Sequence, residues 1–246
     1  MKNLGILVNE YRVINNLTIE RLSSKIAVSY NIIYEIENNN YIPMVDVLQK
    51  LYALGIDISQ IFNTRNSYLI LESIFNNSFD EYIKYTKIDL NDYKTIYKLL
   101  PPMYIEKLYF AMKNHLSDKD LIYFIPFLKK ELIEKIAHEE FEKKGIKSLS
   151  LISPFLEHKL LLYFAEKAYI NEGYNSLITV APFINKYIQE VTIKEYKQNG
   201  FENLYKMIKY INKNTINELA IIEYKKNGMK NLLPIISYID ENILKK

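Results

Sequence analysis

The sequence predicts an all-α protein in two parts: a small group of short helices, then a superhelical (solenoid) array of α-α repeats. Three observations lead there. Gly and Pro are scarce, 6 and 7 in 246 residues, too few for the tight turns of an all-β chain. Apolar residues recur at three- and four-residue spacing. From about residue 124 the chain repeats itself with a period of 27–28. With 49% apolar and 25% charged residues the composition is that of a globular protein.

In the first 64 residues, Leu4, Leu7, Val8 and Tyr11 define a helix over about 3–14, which Asn15 and Asn16 break. Thr18 stands where an N-cap belongs, with Glu20 in the first turn favoured by the helix dipole. A helix over 19–26 then buries Leu22 and Ile26. Ala27 and Val28 make a tight turn, and Ser29 caps a helix over 30–37 that buries Ile33 and Ile36. Asn39 is the residue expected to end it in a left-handed conformation, and Pro43 stops the loop. A fourth helix runs through Val45, Leu48 and Leu51 to Gly55, and a last turn covers Ile58 to Phe62.

Thr18-x3-Leu22-x3-Ile26-x-Val28-Ser29-x3-Ile33-x2-Ile36-Glu37-Asn38-x4-Pro43, followed by Leu54-Gly55-Ile56, resembles the Cro/repressor-type (XRE) helix-turn-helix domain over about a quarter of the chain. The resemblance implies that helix 30–37 enters the major groove of a DNA operator, with Tyr30, Asn31, Tyr34 and Glu35 toward base edges. Asn pairs with adenine N6/N7, and Glu accepts from cytosine N4. Thr18, Arg21, Lys25, Ser29, Asn38 and Asn40 would meet the DNA backbone, helped by the N-terminus of helix 19–26. Arg12 and Glu37 occupy the positions of an internal ion pair. The sequence departs from the family where Ile19 replaces a glutamine and Ala27 a turn glycine. It also has no Lys or Arg between Lys25 and Lys50. Residues 1–64 carry a net charge of −1 and the remainder +4, without the basic bias of a strong nucleic-acid binder. A protein-binding helix-turn-helix therefore stands as the alternative.

Residues 65–123 read as irregular helices, at Phe79 to Ile88, Asp92 to Leu100 and after Pro101-Pro102. The array proper, 124–246, is marked by Pro126-Phe127, Pro154-Phe155 and Pro182-Phe183, and then by Tyr210 and Tyr238. Gly145, Gly173, Gly200 and Gly228 interleave them. Each unit is expected to hold a long helix stopped by its glycine and a shorter one carrying, for example, Leu177, Ile178, Ala181 and Phe183. Asn185, Asn212 and Asp240 are the expected caps, and each Pro is expected to kink or end the short helix. Neighbouring units must stack to bury both faces. The recurrent aromatic is therefore read as core.

The absence of Cys excludes disulfide scaffolds, Cys-ligated zinc and thiol nucleophiles. His115, His138 and His158 lack metal-ligand spacing, and no phosphate loop or nucleophile elbow occurs. Neither enzyme activity nor a cofactor is expected. No apolar run approaches the ~18–20 residues that span a bilayer, and the N-terminal stretch is no signal peptide, so a cytoplasmic location is expected. A reader domain followed by helical repeats resembles bacterial peptide-sensing regulators of the Rgg/PlcR type. That resemblance implies a homodimeric transcriptional regulator whose solenoid dimerises and senses a peptide or protein. A scaffold whose helix-turn-helix does not bind DNA is the second reading.

Overall fold

The computed structural model describes residues 3–240. It is all-α, with no strand among the described residues, and pairs a helix-turn-helix domain with helical repeats. None of the described helices is long and apolar enough to cross a membrane. The chain divides into two compact units, one ending at Leu128 and the other beginning at Lys129.

In the first unit, α1 (Leu4–Ile14), α2 (Ile19–Lys25), α3 (Tyr30–Asn39) and α4 (Val45–Ala53) are followed by a 3-10 turn at Ile58–Ile61. Asn3, Thr18 and Ser29 cap the first three helices through side-chain oxygens that accept from the first-turn amides. Helices α1, α2 and α4 end alike. Asn16, Ala27 and Gly55 take positive φ, and the next residue's N–H returns to the carbonyl five positions back (Leu17 to Arg12, Val28 to Ser23, Ile56 to Leu51). Asn40, not Asn39, is the left-handed residue after α3: the helix keeps its ladder two residues longer than its apolar pattern. Leu22, Ile33, Ile36, Leu48 and Leu51 make the core. Helix α1 crosses α3 at Gly5, where a β-carbon would overlap the Ile36 carbonyl oxygen.

The fold continues past Thr64 without a linker. Thr64 caps α5 (Arg65–Phe75), and its hydroxyl donates to Asp92 at 2.8 Å. Phe75 packs on Tyr52 of α4 with ring centroids 5.0 Å apart, and the Phe75 carbonyl accepts from Gln49. Helices α6 (Phe79–Tyr85), α7 (Leu90–Ile96) and α8 (Pro102–Met112) complete this part around Tyr93, which stacks on Phe124 at 4.3 Å. α6 stops three residues before Ile88, and α7 starts from an Asp89 cap rather than at Asp92.

The second unit is periodic. Among the described residues its four α-helices, α9 (Lys130–Lys144), α10 (His158–Glu172), α11 (Asn185–Asn199) and α12 (Lys213–Asn227), are each 15 residues long and each ends at a glycine. Those glycines combine φ of +68° to +82° with ψ near 180°, a region only glycine occupies comfortably, and this turns the chain sharply off the helix. Asn212 caps α12 by accepting from Thr215 at 2.8 Å. Asn185 does not cap α11; it is the first helical residue, behind Ile184. The helix expected after Asp240 lies outside the described residues.

The second element of each unit is not an α-helix but a 3-10 run: Ile146–Leu151 with Ser153–Phe155, Tyr174–Thr179 with Ala181–Phe183, Glu202–Tyr210, and Leu233–Tyr238. Three residues per turn place every third side chain in one row. The rows Ile146, Leu149, Ile152; Tyr174, Leu177, Val180; and Phe201, Leu204, Met207 are buried and pack side by side as the spine of the array. Each proline opens a second short 3-10 turn rather than ending a helix. Where the unit has Lys209 in that place, the run is unbroken for nine residues, because every amide can donate. The recurrent aromatic is therefore not core. Phe155, Phe183 and Tyr238 are over one-third exposed at the edge of the array.

Candidate nucleic-acid interface

Helix α3 places its first exposed residues on one face. Ile33 and Ile36 anchor the opposite side in the core, which leaves Tyr30, Asn31, Tyr34, Glu35 and Asn38 in solvent. The Tyr30 and Tyr34 rings stack one helical turn apart, centroids 6.1 Å, and both are exposed. Asn31 stands beside them, exposed and with no side-chain hydrogen bond among those described. Glu35 accepts from Asn39 at 2.7 Å, and Asn38 donates to the Tyr34 carbonyl at 3.0 Å. Asn40 is tied to Asn3, which fixes the loop after α3 to the start of α1.

The ion pair that holds this face in place is present. Arg12 Nε and Nη2 donate to the two Glu37 oxygens at 3.0 Å each, and Nη1 donates to the Leu17 carbonyl at 3.0 Å. Asn9 adds a donor to Glu37 at 3.0 Å. Hydrogen bonding to Glu37 raises the Arg12 pKa above its ordinary value, so the guanidinium is a permanent charge here. Together with the close approach at Gly5, this bidentate pair fixes the angle at which α3 leaves the domain.

Three features bear on the backbone contacts. The N-terminus of α2 carries Glu20 in its first turn, and bonding to its own backbone N–H and to Thr18 keeps the Glu20 carboxyl below its usual pKa. Thr18 also accepts from Arg21 N at 3.2 Å. Arg21 is exposed in that same turn, while Lys25 is drawn to Tyr11 on α1, its ammonium 3.4 Å from the hydroxyl. The third feature was not visible in the sequence. Lys50, on α4, donates to the Ala27 carbonyl at 2.9 Å and brings a cation to the turn between α2 and α3, two residues before Ser29. The stretch between Lys25 and Lys50 is empty of basic residues along the chain but not in space. No local pattern marks Lys50, because the contact spans 23 residues.

Residues 5–72 match the family model of a helix-turn-helix domain. No curated protein matches the chain, and neither does any solved structure. Caps, turn, internal ion pair and family match agree on a helix-turn-helix domain over residues 5–72; they support an XRE-type segment and a DNA-binding regulator in general.

Proposed function

We propose that this protein is a sequence-specific transcriptional regulator that binds double-stranded DNA as a homodimer. In this reading its repeat array supplies dimerisation and senses a peptide or protein effector. The observation that carries it is the outer face of α3. Two stacked, solvent-exposed tyrosines flank an unengaged Asn31, above a turn to which Lys50 brings positive charge. Exposed aromatics beside an open amide are costly to leave in water and suited to base edges and thymine methyls. Tyr30, Asn31, Tyr34 and Glu35 read bases; Ser29, Asn38, Asn40, Arg21 and Lys50 meet phosphate and sugar. Lys25 and Thr18 support α2 from the same side. A dimer is needed because one such helix reads only half of an operator.

The test is selection from a randomised duplex pool at low salt, followed by titration on the enriched site. A palindromic motif is expected. With Arg21 and Lys50 as phosphate partners, a dimer neutralises about four phosphates, which gives a shallow salt slope of about −3 to −4. Asn31→Ala should relax preference at one base pair, and Lys50→Gln should weaken all sequences alike. The net charge of −1 over residues 1–64 favours the second reading, a protein-binding helix-turn-helix on a scaffold. Folded protein that enriches no motif, even with cell extract added, would establish that reading instead.

A further inference from the structure

The repeats of the second unit are close enough copies to serve as each other's controls, and they disagree in one place. Outside the buried spine, positions that one repeat covers are open on the last. Phe201 is 1% exposed and its counterpart Met229 36%; Ile208 is 6% exposed and Ile236 48%. Tyr196 is 7% exposed and Tyr224 41%, and Leu233, in the place of the half-buried Tyr205, is 62% exposed. Tyr224, Met229, Leu233 and Ile236 thus form an apolar end face with the design of an inter-repeat surface.

The internal junctions say what such a face receives. Tyr169 lies in the field of Glu195 on the following helix, and Tyr196, at the same place one repeat on, donates to Glu223 on the next, at 3.1 Å. Tyr224 is the third member of that column. Its place in the pattern calls for a helix whose eleventh residue is a carboxylate, with apolar residues four and three positions before it, as Leu219 and Ala220 precede Glu223. Lys225, Lys226 and Lys230 stand exposed beside the face and add positive charge there.

We infer that this end face is a docking site for an acidic amphipathic helix of a partner protein, which packs as a fifth repeat helix and offers a carboxylate to the Tyr224 hydroxyl. The site gives the effector proposed above a place and a chemistry, and in that respect it rests on that reading. Its test needs no DNA.

The probe is a fluorescein-labelled peptide with this chain's own residues 212–227, which carries Glu223 at the required position. It is titrated into the full chain and read by polarisation. Saturable binding is expected. Replacing that glutamate with Gln in the peptide, or making Tyr224→Phe in the protein, should each weaken it about tenfold, and both together no further. Tyr224→Phe keeps the ring, so a folding defect is not the expected result; Ile236→Asp should abolish binding. Equal binding of a scrambled peptide, or no loss with Tyr224→Phe, would overturn the inference. So would sedimentation showing a dimer that Ile236→Asp dissociates, because a second copy would then cover the face. Peptide binding that leaves operator affinity unchanged keeps the docking site and removes only its role as effector.

Discussion

Arg12→Ala should loosen the reader domain by an amount the geometry fixes within a narrow range. The substitution removes two charge-assisted bonds to Glu37 and one to the Leu17 carbonyl, and Asn9 remains as the other donor seen on the carboxylate. The Glu37 side chain is 5% exposed, so water cannot readily replace what is lost. Breaking a fully buried pair costs about 3–5 kcal/mol; Arg12 is one-fifth exposed, which reduces the expected loss to about 2–3 kcal/mol. Hydrogen exchange on the full chain reads this locally. Amides of α1 and α3 should exchange about 30–150-fold faster, with α9 to α12 unaffected. Replacing both partners with methionine removes the stranded charge, so the double variant Arg12→Met, Glu37→Met should return to within about fivefold of the parent. Acceleration below about threefold in Arg12→Ala, or a double variant no better than the single, would refute the reasoning that this pair positions α3.

Ala27 sits at φ +50°, where a β-carbon is strained, so Ala27→Gly should stabilise the first unit by about 0.5–1 kcal/mol, measured by exchange at α2 and α3. Burial pushes the Glu223 carboxyl up in pKa, but bonds from Asn227, Asn231 and Tyr196 outweigh it and hold it below the ordinary carboxylate range. Its stabilisation is therefore complete above about pH 5 and is lost as acid passes the ordinary value of about 4.3 and then the lower folded one. Glu223→Gln should be about 1–2 kcal/mol less stable near pH 7 and show a flatter acid limb in pH-resolved exchange at α12. Lys209→Pro should be tolerated within about 1 kcal/mol in thermal unfolding, because three sister repeats accommodate proline there. The same residue inside α12, at Leu219, should cost about 3 kcal/mol or more.

Much of this was legible in the sequence, for identifiable reasons. The caps Thr18 and Ser29 act on amides within their own first turns, and the Arg12–Glu37 pair was implied by the resemblance to the helix-turn-helix family, whose motif places the two residues. The repeat period appears directly, because the chain restates itself. The 3-10 runs were misread because their apolar rows, such as Tyr174, Leu177 and Val180, fall at spacing three, and over two turns this is hard to tell from a helix at 3.6. Phe183 was read as core on a separate ground, its identical placement in every unit, which an exposed edge of a repeat array satisfies equally. Lys50 was invisible for a different reason: its partner is a backbone carbonyl, which leaves no trace in residue type.

The junctions between repeats differ in chemistry, and this constrains the order in which the array can assemble. Between α9 and α10 the contact is aromatic, with Phe141 and His138 against Phe164. Farther on, Tyr196 meets Glu223, and the amides of Gln189 and Asn217 bond the backbone of the following unit, at Tyr210 and Asn212 and at Asp240. A chain that slipped by one whole period during folding would set the Phe141 ring against Glu195, stranding a carboxylate with no hydroxyl to meet it. Near-identical modules ordinarily invite such mispairing. Here each module carries an address, written in the one layer of the repeat where the copies differ.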